Sequence, residues 1–426
     1  MATMSRIRVG YWWSEKKSQK MNLAELARQF TEKGCEFVRL DLDADLEAQG
    51  PFDAIIHKLS DVMCKADRDS LAAQQVKSFE NYAKAHPEVV IIDSLDNVRK
   101  VLDRSRQYQI IDDSELASEG KSQALFLLPS PTVTFTFVRP CLDGVFTPTF
   151  VEMTSTDVQE NLNKMKEYSV KFPFVCKPIL AHGTKYAHKM SIIFDENGLK
   201  DINPPCVAQT FINHNARLFK LFIIRDRYFV IERPSIKNFK PNKYETVHFD
   251  SHDISKPYSS SELTALDEED AKTADIAITP EKERLDRIVK VIRGELGLNL
   301  MGIDVIIENE TGRYAIIDMN SFPGYDGVDN FLELYCGIVM EDIEAARQSQ
   351  LPPPSTQSTQ SDHNGAPNEP ISGDSKQANI SNGKVGATSS EIDSGIDTSD
   401  SCDEKKPKSA KSESAQKKKQ HCRVAQ

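Results

Sequence analysis

The sequence predicts an α/β N-terminal domain followed by a larger α+β unit built on antiparallel sheets, with a tail that forms no core. Three patterns carry this. Short apolar runs alternate with amphipathic helical stretches up to about residue 93, the signature of a small parallel βαβ sheet. From Phe174 onward, neighbouring apolar runs are joined by short polar turns, which suits antiparallel pairing. Beyond residue 350 there is no Phe, Trp or Tyr, and Ser, Thr, Gln, Asn and Lys dominate. Such a stretch cannot bury enough apolar area to offset its chain entropy, so it reads as disordered.

The first domain is built from strands expected at Ile7–Trp12, Phe37–Leu42, Ala54–Leu59 and Val89–Asp93. Leu23, Leu26, Ala27 and Phe30 recur at helical spacing between the first two, and Ala72, Val76, Phe79 and Ala83 do so between the third and fourth. The stretch 111–150 carries Pro129, Pro131, Pro140 and Pro148 around an alternating Thr132–Val138 run, which reads as an inserted loop holding one strand. Strands follow at Phe174–Pro178, Ser191–Phe194, Cys206–Ile212, Leu218–Ile224 and Tyr228–Arg233. A helix is expected at Glu281–Leu296, with Leu285, Ile288, Val289, Ile292 and Leu296 on one face. Gly302–Glu308 and Tyr314–Asn320 then form a hairpin around Asn309-Glu310-Thr311-Gly312.

Composition narrows the function. A chain of 426 residues allows two or three domains at about 150 residues each. The tail holds ten basic and ten acidic residues, so the net charge of −11 belongs to the first 350. That balance argues against nucleic acid as the main partner. No apolar run approaches the roughly 18 residues that span a bilayer, and the first residues hold no signal-peptide core. Eight cysteines without a C-x-x-C pair fit a reducing cytoplasm better than a zinc site or a disulfide framework. The tail's acidic block, Glu391 to Asp400, and basic block, Lys405 to Lys419, read as solvated sequence; nuclear import or protein docking is the alternative. A monomer is expected.

The last hairpin holds the clearest chemistry. If its loop is centred on Thr311, opposed residues have numbers summing to 622, and Asp304 then faces Asp318. Opposed Cβ atoms in an antiparallel pair lie about 4.5–5.5 Å apart, so two like charges there need neutralisation. Asn320 points to the same face as Asp318. Two carboxylates and an amide oxygen suit a hard divalent cation such as Mg²⁺. A register shifted by one residue would instead turn one Asp to solvent.

Lys177 lies inside the apolar run Phe174–Pro178, either as an outward lysine on an edge strand or as a point charge for a phosphate. The following Ala181-His182-Gly183-Thr184 turn, with Lys185, His188 and Lys189, is small and cationic enough to close over phosphates. Lys16, Lys17, Lys58, Arg104, Lys220 and Arg233 recur at strand ends or in apolar surroundings. Each alone reads as a solvated or paired side chain; together, in a chain of net −11, they suggest a cleft for a polyanion. Standard nucleotide motifs fail. Glu119-Gly120-Lys121-Ser122 lacks the upstream glycine of a phosphate loop, since Glu115 stands in its place. There is no G-x-G-x-x-G, H-R-D, D-F-G or G-x-S-x-G.

Lys177 on a strand, the His-Gly-Thr loop, Gln209-Thr210-Phe211-Ile212, Gly302-Ile303-Asp304 and Asp318-Met319-Asn320 resemble, in that order, an ATP-grasp enzyme. Gly10-Tyr11-Trp12, Ser14-Glu15-Lys16-Lys17, Ile55–Lys58, Phe172–Lys177, Phe211–Asn215, Arg233-Pro234-Ser235 and Phe322-Pro323-Gly324-Tyr325 narrow the resemblance to the inositol-tetrakisphosphate 1-kinase family, also called inositol 1,3,4-trisphosphate 5/6-kinase. The match runs from about Val9 to Asn330 and leaves the tail uncovered.

The resemblance implies an N-terminal substrate-binding domain over 1–93, a central ATP-grasp subdomain over 94–212, a C-terminal ATP-grasp subdomain over 213–346 and a tail over 347–426. ATP would lie between two antiparallel sheets. Lys177 and Arg104 would hold its phosphates. Gln209–Lys220 would line adenine and ribose, with Gln209, Phe211 and Ile212 at the hinge, and Ser235, Ser251 and Ser255 would complete the pocket. Asp304, Asp318 and Asn320 would hold Mg²⁺, as two ions. Lys17, Lys58, His188, Lys220, Arg233, Asn320 and Gly324 would receive the inositol phosphate, and Lys177, Asp318 and Asn320 would carry catalysis. The reaction implied moves the γ-phosphate of Mg·ATP to a free hydroxyl of inositol 1,3,4-trisphosphate, at position 5 or 6, or of the 3,4,5,6-tetrakisphosphate, at position 1. Interconversion of isomers through bound ADP would accompany it. Two departures stand out: the His182–His188 loop is longer than the family's usual form, and 111–150 is longer and lacks the family's charged helix after Arg104. An ATP-grasp carboxylate–amine ligase and a non-catalytic ATP-binding scaffold are the competing readings.

Overall fold

The structure is a computed structural model that describes residues 6–116, 144–183, 186–240, 244–274, 279–350 and 423–425. The Thr132–Val138 strand and the tail's charged blocks lie outside the described residues. The first domain opens with β1 (Ile7–Trp12), β2 (Cys35–Arg39), β3 (Ala54–His57) and β4 (Val90–Ile92). They form a four-stranded sheet in the order β2-β1-β3-β4 with every pair parallel, as the alternation of strands and helices requires. The crossover helix Leu23–Glu32 starts at Asn22, whose side chain accepts from Glu25 N, and buries Leu26 and Phe30. Ser70–Ala85 starts at Asp69, which accepts from two backbone N–H groups, and buries Val76 and Phe79.

The remainder forms two sheets. The strands are β5 (Val145–Phe146), β6 (Phe150–Met153), β7 (Phe174–Pro178), β8 (Lys189–Ile193), β9 (Cys206–Thr210), β10 (Arg217–Ile224), β11 (Arg227–Pro234), β12 (Val247–Asp250), β13 (Leu300–Ile307), β14 (Tyr314–Ser321) and β15 (Arg423–Ala425). The central sheet runs β12-β8-β7-β9-β6 and is antiparallel throughout. The C-terminal sheet runs β15-β11-β10-β13-β14-β5. Its β5–β14 pair is parallel, within a unit that is otherwise antiparallel as expected. The chain also interleaves: β5 precedes the central sheet yet joins the C-terminal one, while β12 returns to the central sheet. Tail residues Arg423–Ala425 pair antiparallel with β11 at the edge of this sheet.

The helix Arg104–Asp113 starts on Asp103, which accepts from Arg106 N, so Arg104 opens a helix where the sequence reading placed none. Lys282–Leu296 ends at Gly297, whose left-handed φ of 66° stops the helix as glycine does best. A long helix, Phe331–Ser349, packs Phe331, Tyr335, Val339 and Ile343 into one apolar cluster with Val9, Leu26 and Phe30 of the first domain and Phe222 and Ile224 of β10. Asp93 joins the same two regions, accepting from Asn299 N at 2.8 Å and Leu300 N at 3.1 Å. Arg347 pairs with Asp53 at 2.7 Å. No helix among the described residues is long and apolar enough to cross a membrane.

Candidate active site

β13 and β14 place Asp304 directly opposite Asp318, as the hairpin arithmetic requires. The reason differs from that arithmetic. Near the turn the pairs are Ile307–Tyr314, Ile306–Ala315 and Val305–Ile316, so the loop is centred half a residue before Thr311. Without correction, Asp304 would face Ile317. A β-bulge between the Val305 and Asp304 pairs adds Ile317 to β14 and brings Asp318 into place. The bulge also turns the Ile317 carbonyl away from the ladder. It accepts from Lys177 Nζ at 2.8 Å and from Tyr108 Oη at 2.9 Å.

The acidic pair is neutralised by two cations. Lys220 is the β10 neighbour of Asp304 in register, and its Nζ lies 2.8 and 2.6 Å from the two carboxylate oxygens. Arg104 Nε lies 3.6 Å from Asp318 Oδ1. Burial, followed by the charge of Asp318, favours the neutral form of Asp304 and raises its pKa despite Lys220. Burial would raise Asp318 too, but Arg104, Lys177, the Asn320 amide and Lys220 together hold it below the usual range. Asn320 Nδ2 donates to Asp318 Oδ2 at 3.0 Å, so all three predicted metal ligands meet. Asp318 Oδ1 is buried and accepts no hydrogen bond. Two carboxylates, an amide and an unused carboxylate oxygen fit a divalent cation with oxygen ligands. Among the described residues no group of three His, Cys, Asp or Glu side chains is placed to hold a metal ion.

Lys177 is buried on β7, a central strand, and points inward rather than out from an edge. Its Nζ donates to Tyr108 Oη at 2.9 Å, Gln209 Oε1 at 2.7 Å and the Ile317 carbonyl. Burial lowers its pKa to about 8. Arg104 is 1% exposed. Its Nη atoms donate to the carbonyls of Pro178 (2.7 Å), Leu180 (3.1 Å) and Ala187 (3.2 Å). The guanidinium thus braces the two ends of the His-Gly-Thr loop, and only Nε remains without a hydrogen bond.

The nucleotide residues implied by the resemblance line the next stretch. Gln209 faces Lys177 on one side and leaves Nε2 buried and unpaired. Phe211 packs against Phe239 at a ring separation of 5.4 Å, and Ile212 packs beside Leu218, Ile306 and Ala315. Ser235 Oγ lies 2.7 Å from His214 Nε2, and His214 Nδ1 lies 2.6 Å from the Ile212 carbonyl. The carbonyl requires the proton on Nδ1, so Ser235 donates to Nε2 and keeps only acceptor capacity for a ligand hydroxyl. Burial lowers the His214 pKa to about 4, which keeps the ring neutral. Ser251 Oγ lies 3.3 Å from His188 Nδ1, and Ser255 follows one helical turn later, its N–H donating to the Ser251 carbonyl.

The cations form a second group around residues 321–326. Lys17 Nζ donates to the Pro323 carbonyl at 2.8 Å and lies 4.3 Å from the Phe322 ring centre. Lys58 Nζ donates to the carbonyls of Ser321 (3.1 Å) and Phe322 (2.7 Å). Arg233 Nη2 donates to the Asp326 carbonyl at 2.6 Å, while Nη1 is buried and unpaired. Phe322 and Tyr325 hold left-handed φ values of 42° and 56°, an uncommon conformation that bends this loop sharply. A Cβ at Gly324 would meet Asp326 Oδ2 at 2.8 Å, a contact that the Asp326 side chain could relieve by moving. Lys58 is pushed down to about 8 by burial.

Sequence reasoning gave no site role to Tyr108 or His182, and reached His214 only within the Gln209–Lys220 segment. Tyr108 sits one helical turn after Arg104, and that i, i+4 spacing was the available signal. His182 was visible only as a loop residue, yet its Nε2 is buried and unpaired beside the site, and burial lowers its pKa to about 3.

Residues 142–341 match the family described as the inositol 1,3,4-trisphosphate 5/6-kinase ATP-grasp domain, and residues 8–98 match its pre-ATP-grasp domain. The chain is 40% identical over 329 residues to the inositol-tetrakisphosphate 1-kinase of Danio rerio, covering 76% of each chain. It is 42% identical over 327 residues to that of Xenopus laevis, again with 76% of each covered. Two domain matches in order, and relatives of this identity over three quarters of both chains, place the chain in the inositol 1,3,4-trisphosphate 5/6-kinase family, with its ATP-grasp fold.

Proposed function

We infer that the protein is an ATP-dependent inositol polyphosphate kinase. One observation carries the reading within this site: Gln209 Nε2, Arg233 Nη1 and His182 Nε2 are buried without hydrogen-bond partners, and Arg104 Nε and Asp318 Oδ1, also without hydrogen bonds, face each other as an ion pair at 3.6 Å. Such atoms are rare in native structures, and here they belong to groups that would meet a nucleotide, a phosphate or a cation.

Phosphoryl transfer needs positioning and charge neutralisation more than covalent help. Asp304, Asp318 and Asn320 would hold Mg²⁺, which when bound would offset charge on the transferring phosphate; two ions are the finer part of this reading. Lys177, fixed by three neutral acceptors, presents a positive charge without searching rotamers. Ser235 accepts from a nucleotide hydroxyl. Lys17, Lys58 and Arg233 receive acceptor phosphates. Lys220 bridges Asp304 and the acceptor side. Both acidic residues at the centre are tied to cations, so no carboxylate is left as a general base, and the acceptor hydroxyl is activated by position. Transfer to the 5 or 6 position of a 1,3,4-trisphosphate, transfer to the 1 position of a 3,4,5,6-tetrakisphosphate, and exchange through bound ADP are the finer parts of this proposal.

The ligase alternative needs sites for a carboxylate and an amine. The cluster Lys17, Lys58 and Arg233 favours a polyphosphate acceptor instead. The test is phosphoryl transfer by the full chain from labelled Mg·ATP to a panel of inositol tris- and tetrakisphosphates, with products resolved by isomer. Transfer that vanishes in Asp318→Ala is expected. Tight ATP binding with no transfer to any inositol phosphate would instead support a scaffold.

A further inference from the structure

His252 has no part in the roles assigned so far. It follows β12, and His188 precedes β8. Those strands pair with Lys189 opposite Asp250, so one further step of the register opposes His188 and Ser251. Ser251 N donates to the His188 carbonyl at 2.9 Å. The next residue, His252, then lies over the His188 ring, with ring centres 3.6 Å apart and planes tilted by 45°. His188 is half-buried and His252 is exposed, so the pair opens toward solvent on the His252 side.

The charges around the pair are mixed. Arg104, Asp318 and Asp250 act on His188, and Lys189 is tied to Asp250 at 3.1 Å. Burial, then the nearness of His252 and of Arg104, lowers the His188 pKa to about 4. Two imidazoles in ring contact cannot both take up protons unless an anion compensates them. A phosphate monoester dianion is such an anion, and histidine is the side chain that titrates in the range where cells work.

We propose that His188 and His252 form a two-ring clamp for one phosphate monoester of the acceptor, which binds with uptake of a proton by the pair. The clamp rests on the kinase reading, because His188 lies on the acceptor side in that reading. It adds His252 as a binding residue, and it makes acceptor affinity depend on pH. Ser251, hydrogen-bonded to His188, orients the ring so that its other nitrogen is offered to the ligand.

Titration calorimetry of the full chain in two buffers of different ionisation enthalpy counts the protons taken up. Inositol 1,3,4-trisphosphate and Mg·ATP are titrated separately near pH 6.5. About one proton is expected with the inositol phosphate, beyond the uptake that His252→Gln shows. The variant should bind roughly tenfold more weakly near pH 6.5 and converge on the unaltered protein near pH 8.5, well above the usual range of an imidazole. Equal proton uptake in the variant overturns the clamp and leaves the kinase reading standing. Uptake with Mg·ATP instead, or loss of Mg·ATP binding in the variant, moves the pair to the nucleotide and also overturns it. Failure of the unaltered protein to bind or phosphorylate any inositol polyphosphate overturns both.

Discussion

At Lys177, three neutral acceptors hold an ammonium whose pKa burial has lowered to about 8. Above that pH the free protein loses the charge that would meet a phosphate. kcat/KM for ATP should therefore fall as pH rises through about 8, and a flat profile to pH 9 would remove Lys177 from the nucleotide site. Lys58 belongs to the other end of the cleft. Lys58→Ala should raise KM for the inositol phosphate by an order of magnitude or more with ATP KM nearly unchanged, because a phosphate contact is lost at the acceptor only. Lysines and aspartates were legible in the sequence because charge inside an apolar run is conspicuous. Tyr108 was not, and His214 was reached only as part of the Gln209–Lys220 segment, without its role. Their partners, the Ile317 and Ile212 carbonyls and Ser235, are backbone atoms or distant residues that no local pattern announces.

Among elements, the β13–β14 hairpin shows how far spacing arithmetic reaches. It paired Asp304 with Asp318, but only because a bulge supplies the residue that the turn does not. Deleting Ile317 would close the ladder without the bulge and leave the two carboxylates opposed. It would remove the carbonyl that receives Lys177 and Tyr108. The expected result is a higher KM for ATP with the Mg²⁺ dependence of activity kept. A variant that loses its Mg²⁺ dependence would show that the bulge, and not the facing pair, sets the metal geometry. The strands around the site were legible by their alternating or continuous apolar runs. β5, β6 and β12 were not, because they take their structure from neighbouring strands.

For the whole molecule, the first domain is joined to the C-terminal sheet by the Phe331–Ser349 helix and by Asp93. The sequence reading assigned no element beyond Asn330. The helix buries residues toward both the first domain and β10, so its apolar stripe is too broad to read as one amphipathic face. Burial raises the Asp93 carboxyl from the ordinary 3.8 to about 6, although the Asn299 and Leu300 N–H groups favour its charged form. An acid with a raised folded pKa contributes stability that is present below pH 3.8 and lost as pH rises through about 6. Between about pH 4 and about pH 6 the protein should lose about 3 kcal/mol relative to Asp93→Asn, an order-of-magnitude figure. Urea unfolding of both proteins across that range measures it, and parallel pH slopes would show that Asp93 titrates normally.

The loop at residues 321–326 has a consequence for how fast ligands arrive. Lys58 and Arg233 give hydrogen bonds there to carbonyl oxygens, which are dipoles and carry no net charge. Asp61 acts on Lys58 and Asp326 on Arg233, so their positive field is reduced in part, within a chain whose net charge is −11. A highly charged anion meets a net-negative protein that gathers Lys58 and Arg233 at this loop. Capture should be steered electrostatically. The association rate for an inositol polyphosphate should drop steeply from about 0.05 to about 0.3 M salt, and the dissociation rate should change little.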